Sequence, residues 1–191
     1  MRNALIVGEL QAGILENYPF ARTLVPPLTG LLPRARAAGV LVVFVHTALR
    51  SNGADLTPVS QPAFDQPGGI FHEGSPGTEI ALEVAEGDVV VLKRRTSAFA
   101  GTDLDLVLRA NGVGSLALTG LATSAMVAAT LYDASDRGYE LTVLRDGCAD
   151  PDPKVHGLLV ETVFPSRGAE ILTCAEWPAP SRTSGGRTAP R

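Results

Sequence analysis

The 191 residues are 45% hydrophobic but only 5% aromatic, enough for one domain whose core is built mainly from Ala, Val, Leu and Ile. With 20 acidic against 16 basic residues the net charge is −4, which argues against a nucleic-acid-binding surface, since that needs a basic stripe. No window approaches the roughly 18–20 apolar residues of a membrane span, the apolar stretch 4–7 is too short for a signal peptide, and Cys148 and Cys174 have neither disulfide-framework nor metal-ligand spacing.

The expectation is therefore a cytoplasmic protein with a small-molecule partner. The first apolar run, ALIV (4–7), predicts a strand, with Glu9 just past its end and Gln11 two positions later. VLVVFV (40–45) predicts a second strand, closed by His46. Thr47 to Thr78 is rich in Gly, Pro, Asn and Ser. It is too long for an ordinary connection and reads as an active-site or interface loop. DVVVL (88–92) predicts a third strand ending at Lys93, with Arg94 and Arg95 behind it. Leu104, Val107 and Leu108 have helical spacing, and Asn111-Gly112 reads as the stop. SLALTG (115–120) predicts the fourth strand, and the turn after it opens an Ala-rich helix over 122–137. ELTVL (140–144) and AEIL (169–172) supply two more strands. Between them Asp152 is the expected N-cap, and Pro153 the first residue, of a helix over 154–164. From Trp177 the apolar pattern gives way to Pro, Gly, Ser and Arg, which predicts a folded domain over 1–175 and a disordered tail over 176–191.

Strands alternating with helices imply right-handed crossovers and a parallel sheet, an α/β fold. In such a sheet ligands bind outside the carboxyl ends of the strands, where the winding direction switches. Glu9, His46, Lys93 and the turn Gly120-Leu121-Ala122-Thr123-Ser124 all fall at strand ends, and the turn's free N–H groups suit an anion or oxyanion. Bland readings stand beside these. A carboxylate or lysine there is also what a solvated strand end looks like. Arg94-Arg95 reads as a surface pair, His46 as a strand cap or pocket wall, and Asp105 with Arg109 as a charged helix face. Nothing beside Cys148 or Cys174 would stabilise a thiolate, so both read as structural.

Residues 89–156 strongly resemble the isochorismatase-like (cysteine hydrolase) superfamily. The pieces that carry the resemblance are Lys93 followed by Ser97-Ala98-Phe99, then Gly101-Thr102-Asp103-Leu104, the TGLAT turn at 119–123 and DASDRGY at 133–139. ALIVGELQ (4–11) and GSPGTEI (74–80) extend it over about residues 4–172. The resemblance implies a three-layer α/β/α fold with a six-stranded parallel sheet, assembled as a homodimer or higher homo-oligomer, with no cofactor. It implies a catalytic aspartate, lysine and cysteine. Lys93 holds the lysine position, Glu9 the aspartate position with one methylene more, and Met126 the cysteine position. Gln11, His46, Leu121, Ala122 and Thr123 are the expected substrate-binding positions, and the Leu121–Ala122 peptide is expected to be cis. The family's metal-binding members carry an Asp-x-His pair after the second strand; HTALRSNGADL has none, so no metal is expected.

A thioether has no ionisable proton, so thiol attack on an amide is excluded at Met126. The superfamily also contains isochorismatases, which lack the cysteine and cleave a vinyl ether by protonation and hydration. Glu9 as acid and base with Lys93 as electrostatic partner would suit that kind of hydrolysis. A non-catalytic relative serving as a small-molecule binder or assembly subunit is the competing expectation.

Overall fold

The computed structural model describes residues 2–178. A sheet of six parallel strands runs through it in the order β3-β2-β1-β4-β5-β6. The strands are β1 (Arg2–Gly8), β2 (Leu41–Thr47), β3 (Val89–Lys93), β4 (Val113–Leu121), β5 (Glu140–Ala149) and β6 (Glu170–Leu172). Their near-continuous aliphatic sequences follow from burial on both faces. Along β1, Ala4 and Ile6 enter one core cluster while Leu5 and Val7 enter the other. Along β2, Val43 and Val45 join the first and Val42 and Phe44 the second, the period-two alternation of a strand.

The first face is covered by α3 (Leu104–Ala110) and α4 (Ala128–Asp136), with Leu104, Leu108, Leu131 and Ala134 fully buried. α5 (Pro153–Leu158) lies on the same side, its N-terminus capped by the Asp152 side chain, which accepts from the Lys154 N–H at 2.8 Å. The second face is covered by α1 (Ala12–Asn17) and α2 (Val25–Ala37). Pro26 and Pro27 fit the first turn of α2, where N–H groups have no helical partner, and Leu28, Leu31 and Leu32 pack onto the sheet. No helix among the described residues is long and apolar enough to cross a membrane.

Three expectations change in detail. Residues 122–137 are not one regular helix: Thr123–Val127 is a widened turn, with the Val127 N–H reaching back five residues to the Ala122 carbonyl at 3.2 Å. The predicted helix over 154–164 widens in the same way across Leu159–Val163. The folded body also runs past residue 175. Trp177 is buried in the second cluster, because a large indole outweighs the polar composition around it. Residues 179–191, most of the predicted tail, lie outside the described residues.

Candidate active site

Strand order decides where the site sits. β1 is flanked by β2 and β4, so the winding direction reverses at its carboxyl end. Glu9 leaves β1 there with φ at 59°, a left-handed backbone that costs a non-glycine residue about 1–2 kcal/mol. Its N–H is held by the Val45 carbonyl at 2.7 Å.

Lys93, at the end of β3, is buried, and its ammonium lies 2.8 Å from Glu9 Oε1. It also donates to the Arg95 carbonyl at 3.0 Å. The Thr47 hydroxyl, at the end of β2, donates a short hydrogen bond to the same Glu9 oxygen. A buried ion pair gains from attraction only if it is also hydrogen-bonded, and here Thr47 adds a bond to Glu9 and the Arg95 carbonyl one to Lys93.

Met126 lies in the widened turn after β4 and is 1% exposed. Its sulfur accepts from the Thr130 hydroxyl at 3.4 Å. Gly8 makes room for it: a Cβ on Gly8 would stand 1.7 Å from the Met126 methyl. One turn of glycine further, Gly120 has φ 122° and approaches Gly8 so closely that a Cβ would lie 2.2 Å from the Gly8 carbonyl oxygen. The Leu121–Ala122 peptide that follows is cis.

Glu9, Thr47, Lys93 and Met126 line one crevice of about 730 Å³. Its outer wall is the long segment after β2, which contributes Thr57, Ser60 and Phe71 among others. That segment is tied to the strand ends by charge. Arg94 Nη2 meets Glu73 at 2.8 Å, and Arg94 Nε lies 2.7 Å from Asp55 Oδ2, out of line for a hydrogen bond and so an ionic contact. The predicted active-site loop is thus a strapped wall of the crevice.

The expected substrate-binding residues do not line it. Gln11 is fully buried and pairs with the Thr47 backbone, its side-chain oxygen accepting at 2.7 Å and its nitrogen donating at 2.9 Å. His46 points to the opposite face of β2, where its Nδ1 lies 3.1 Å from the Thr78 carbonyl. Period-two alternation gives the reason: residues 43, 45 and 47 share the crevice face. Thr47 is therefore the polar residue of β2 in the site. Leu121 is buried, and Thr123, fully buried, is bonded to His156 Nδ1 at 2.8 Å. Ala122 is half-buried and, like them, lies off the crevice wall. Arg95 is exposed, as expected of a surface residue, and it lines the crevice together with half-buried Arg94.

The two cysteines of the chain are both buried and neither lines the crevice. Burial pushes the Cys148 thiol up to about 12, and burial with the nearby Asp146 pushes Cys174 up as well. Neither is a thiolate near neutral pH.

The comparisons bear on the fold and the family. The Isochorismatase domain family matches residues 3–176. The uncharacterized isochorismatase family protein YwoC of Bacillus subtilis is 31% identical over 176 residues, covering 90% of each chain. A streptothricin hydrolase of Streptomyces noursei is 33% identical over 175 residues, covering 87% of this chain and 58% of its own. The crystal structure of an isochorismatase family protein from Desulfovibrio vulgaris superposes with a TM-score of 0.84 at 31% identity, covering 91% of this chain and 95% of that one.

Proposed function

Since the chain belongs to the isochorismatase-like hydrolase family, we propose that its crevice hydrolyses a small metabolite without a cysteine nucleophile. The observation that carries this reading is the Glu9–Lys93 pair, 2.8 Å apart and opening onto the crevice that Met126 also lines. Water is the nucleophile. Glu9 in its acid form gives a proton to the substrate, which becomes electrophilic. Water adds to it, and the Glu9 carboxylate takes the proton that the water sheds. The hemiketal then collapses, the C–O bond breaking as Glu9 gives that proton to the leaving oxygen and regains one from the hydroxyl that becomes the carbonyl. Lys93 and the Thr47 hydroxyl hold the carboxylate between these steps and stabilise its charge. A vinyl ether or another acid-labile bond suits this chemistry; an amide that needs thiolate attack does not.

One observation favours a second reading, a non-catalytic small-molecule binder. Met126 is fully packed, its methyl against Gly8 and its sulfur on Thr130, as a structural side chain would be. Turnover decides between them. A thermal-shift screen of metabolites, followed by hydrolysis assays on the hits, is expected to find a substrate whose turnover is lost in Glu9→Gln and Lys93→Ala. Hits that bind but are never hydrolysed would overturn the hydrolase reading in favour of the binder.

A further inference from the structure

Three consecutive cations leave β3, and the structure gives them three different fates. Lys93 turns inward to Glu9. Arg94 is neutralised by Asp55 and Glu73, both on the long crevice-wall segment. Arg95 has no carboxylate within ion-pair distance among the described residues. Its Nη1 instead donates to two backbone carbonyls, those of Asp55 at 2.9 Å and Arg94 at 2.7 Å.

That arrangement fixes the guanidinium without quenching it. Carbonyl oxygens carry only partial charge, so the group keeps its full positive charge while one edge is held in place. A guanidinium has five N–H donors in a rigid plane. Nε and Nη2 form the remaining edge and have no hydrogen-bond partner among the described residues, the spacing that takes a carboxylate in a bidentate grip.

The crevice around it has matching character. Lys93, Arg94 and Arg95 line it; Glu9 offsets Lys93, and Asp55 and Glu73 offset Arg94, so the uncompensated charge is that of Arg95. The rest of the wall includes Leu49, Phe71, Ala100 and Ala129. The cationic excess selects an anion, and the apolar wall selects a carbon body attached to it.

We infer that Arg95 is the substrate-docking cation, and that the ligand is a small, largely apolar molecule bearing a carboxylate. The assignment rests on the crevice proposed above as the active site, but it concerns binding and stands apart from turnover. Arg95 holds the carboxylate end, which leaves the other end of the molecule to Glu9 and Lys93. Arg95 is a specificity residue in this scheme and takes no part in bond cleavage.

The test uses isosteric probes that differ only in charge, benzoate and benzamide, titrated into the full-length protein and followed by NMR chemical shifts. Benzoate should bind more tightly than benzamide by about tenfold, the usual worth of a charge-assisted hydrogen-bonded contact. Arg95→Gln should abolish that preference and leave benzamide affinity within about twofold. Arg95→Lys, which keeps the charge but loses the fork, should retain only part of it. Equal affinity for the two probes in the wild type would overturn the assignment. So would a benzoate preference that survives in Arg95→Gln, which would put the anion on Lys93 instead. Thermal melting of each variant confirms that it is folded, and Arg95→Lys carries the test if Arg95→Gln is not. A benzoate preference that depends on Arg95, with no turnover of any carboxylate-bearing substrate, would sink the hydrolase reading and leave this one intact.

Discussion

At the ends of β1, β2 and β3, Glu9, Thr47 and Lys93 form one polar cluster; past the ends of β4 and β5, Thr123, His156 and Asp150 form another. Their chemistry is alike: each holds an acid, a base and a hydroxyl at the carboxyl edge of the same sheet. The difference is space. The first faces the crevice, while in the second Thr123 is fully buried against His156, and Asp150 is spent on the Ser124 N–H at 2.8 Å. A constellation of reactive groups is a site only where the packing leaves room for a reactant. In the closed cluster the same groups staple the widened turn to α5.

The sharpest way to break the comparison is Lys93→Ala. It should abolish any turnover and leave the Glu9 carboxylate without its partner, costing about 3 kcal/mol in denaturant titrations. Glu9→Gln should lose activity equally but cost less stability, since an amide needs less compensation than a charge. Next in size is Gly120→Ala, at the wall between the clusters, where a methyl would meet the Gly8 carbonyl and φ is positive. A loss of about 2–3 kcal/mol is expected from chemical denaturation. In the closed cluster, Thr123→Val should cost about 1 kcal/mol by removing the bond to His156, with probe binding in the crevice unchanged.

The fifth effect is a pH dependence. Burial lowers the His156 pKa below 6.5, against smaller opposing effects of Asp150 and Glu161. The unfolded imidazole then takes up its proton first as the pH falls. Stability is lost on acidification from about pH 6.5 down to the folded-state value, and is flat with respect to this group above it. His156→Asn should flatten that slope in melting curves recorded across the range. The smallest expected effect is none at all. Iodoacetamide should leave binding and catalysis untouched, because both thiols are buried with raised pKa values. Loss of activity with label on Cys148 or Cys174 would show that the nucleophile has moved rather than vanished.

Much of this was legible in the sequence, for reasons that particular residues make plain. The six strands are written as aliphatic runs because both faces are covered, and the Asp152–Pro153 cap is local chemistry that needs no tertiary context. Glu9 and Lys93 were legible because strand ends in a parallel sheet converge. What remained hidden depended on side-chain direction or on distant partners. His46 and Thr47 are neighbours with opposite faces, and the choice between them needs the phase of β2 against the core. Arg94 and Arg95 are indistinguishable as letters; only Asp55 and Glu73, brought in from the long segment, neutralise one and leave the other. The widened turn at Thr123–Val127 has no sequence signature distinct from an ordinary helix start.

The burial of Trp177 bears on where this chain can be cut. Arg34, on α2, donates to the carbonyls of Cys174 at 2.9 Å and Ala175 at 3.3 Å, and to that of Trp177 as well. One guanidinium thus closes the last described turn against a helix some 140 residues earlier in the chain. The indole plugs the second core cluster beside it. Truncation after 175 removes the plug and one of the three acceptors, and should cost about 3 kcal/mol, the penalty for deleting a large buried aromatic. The described fold therefore leans on a tryptophan that its polar neighbours disguise.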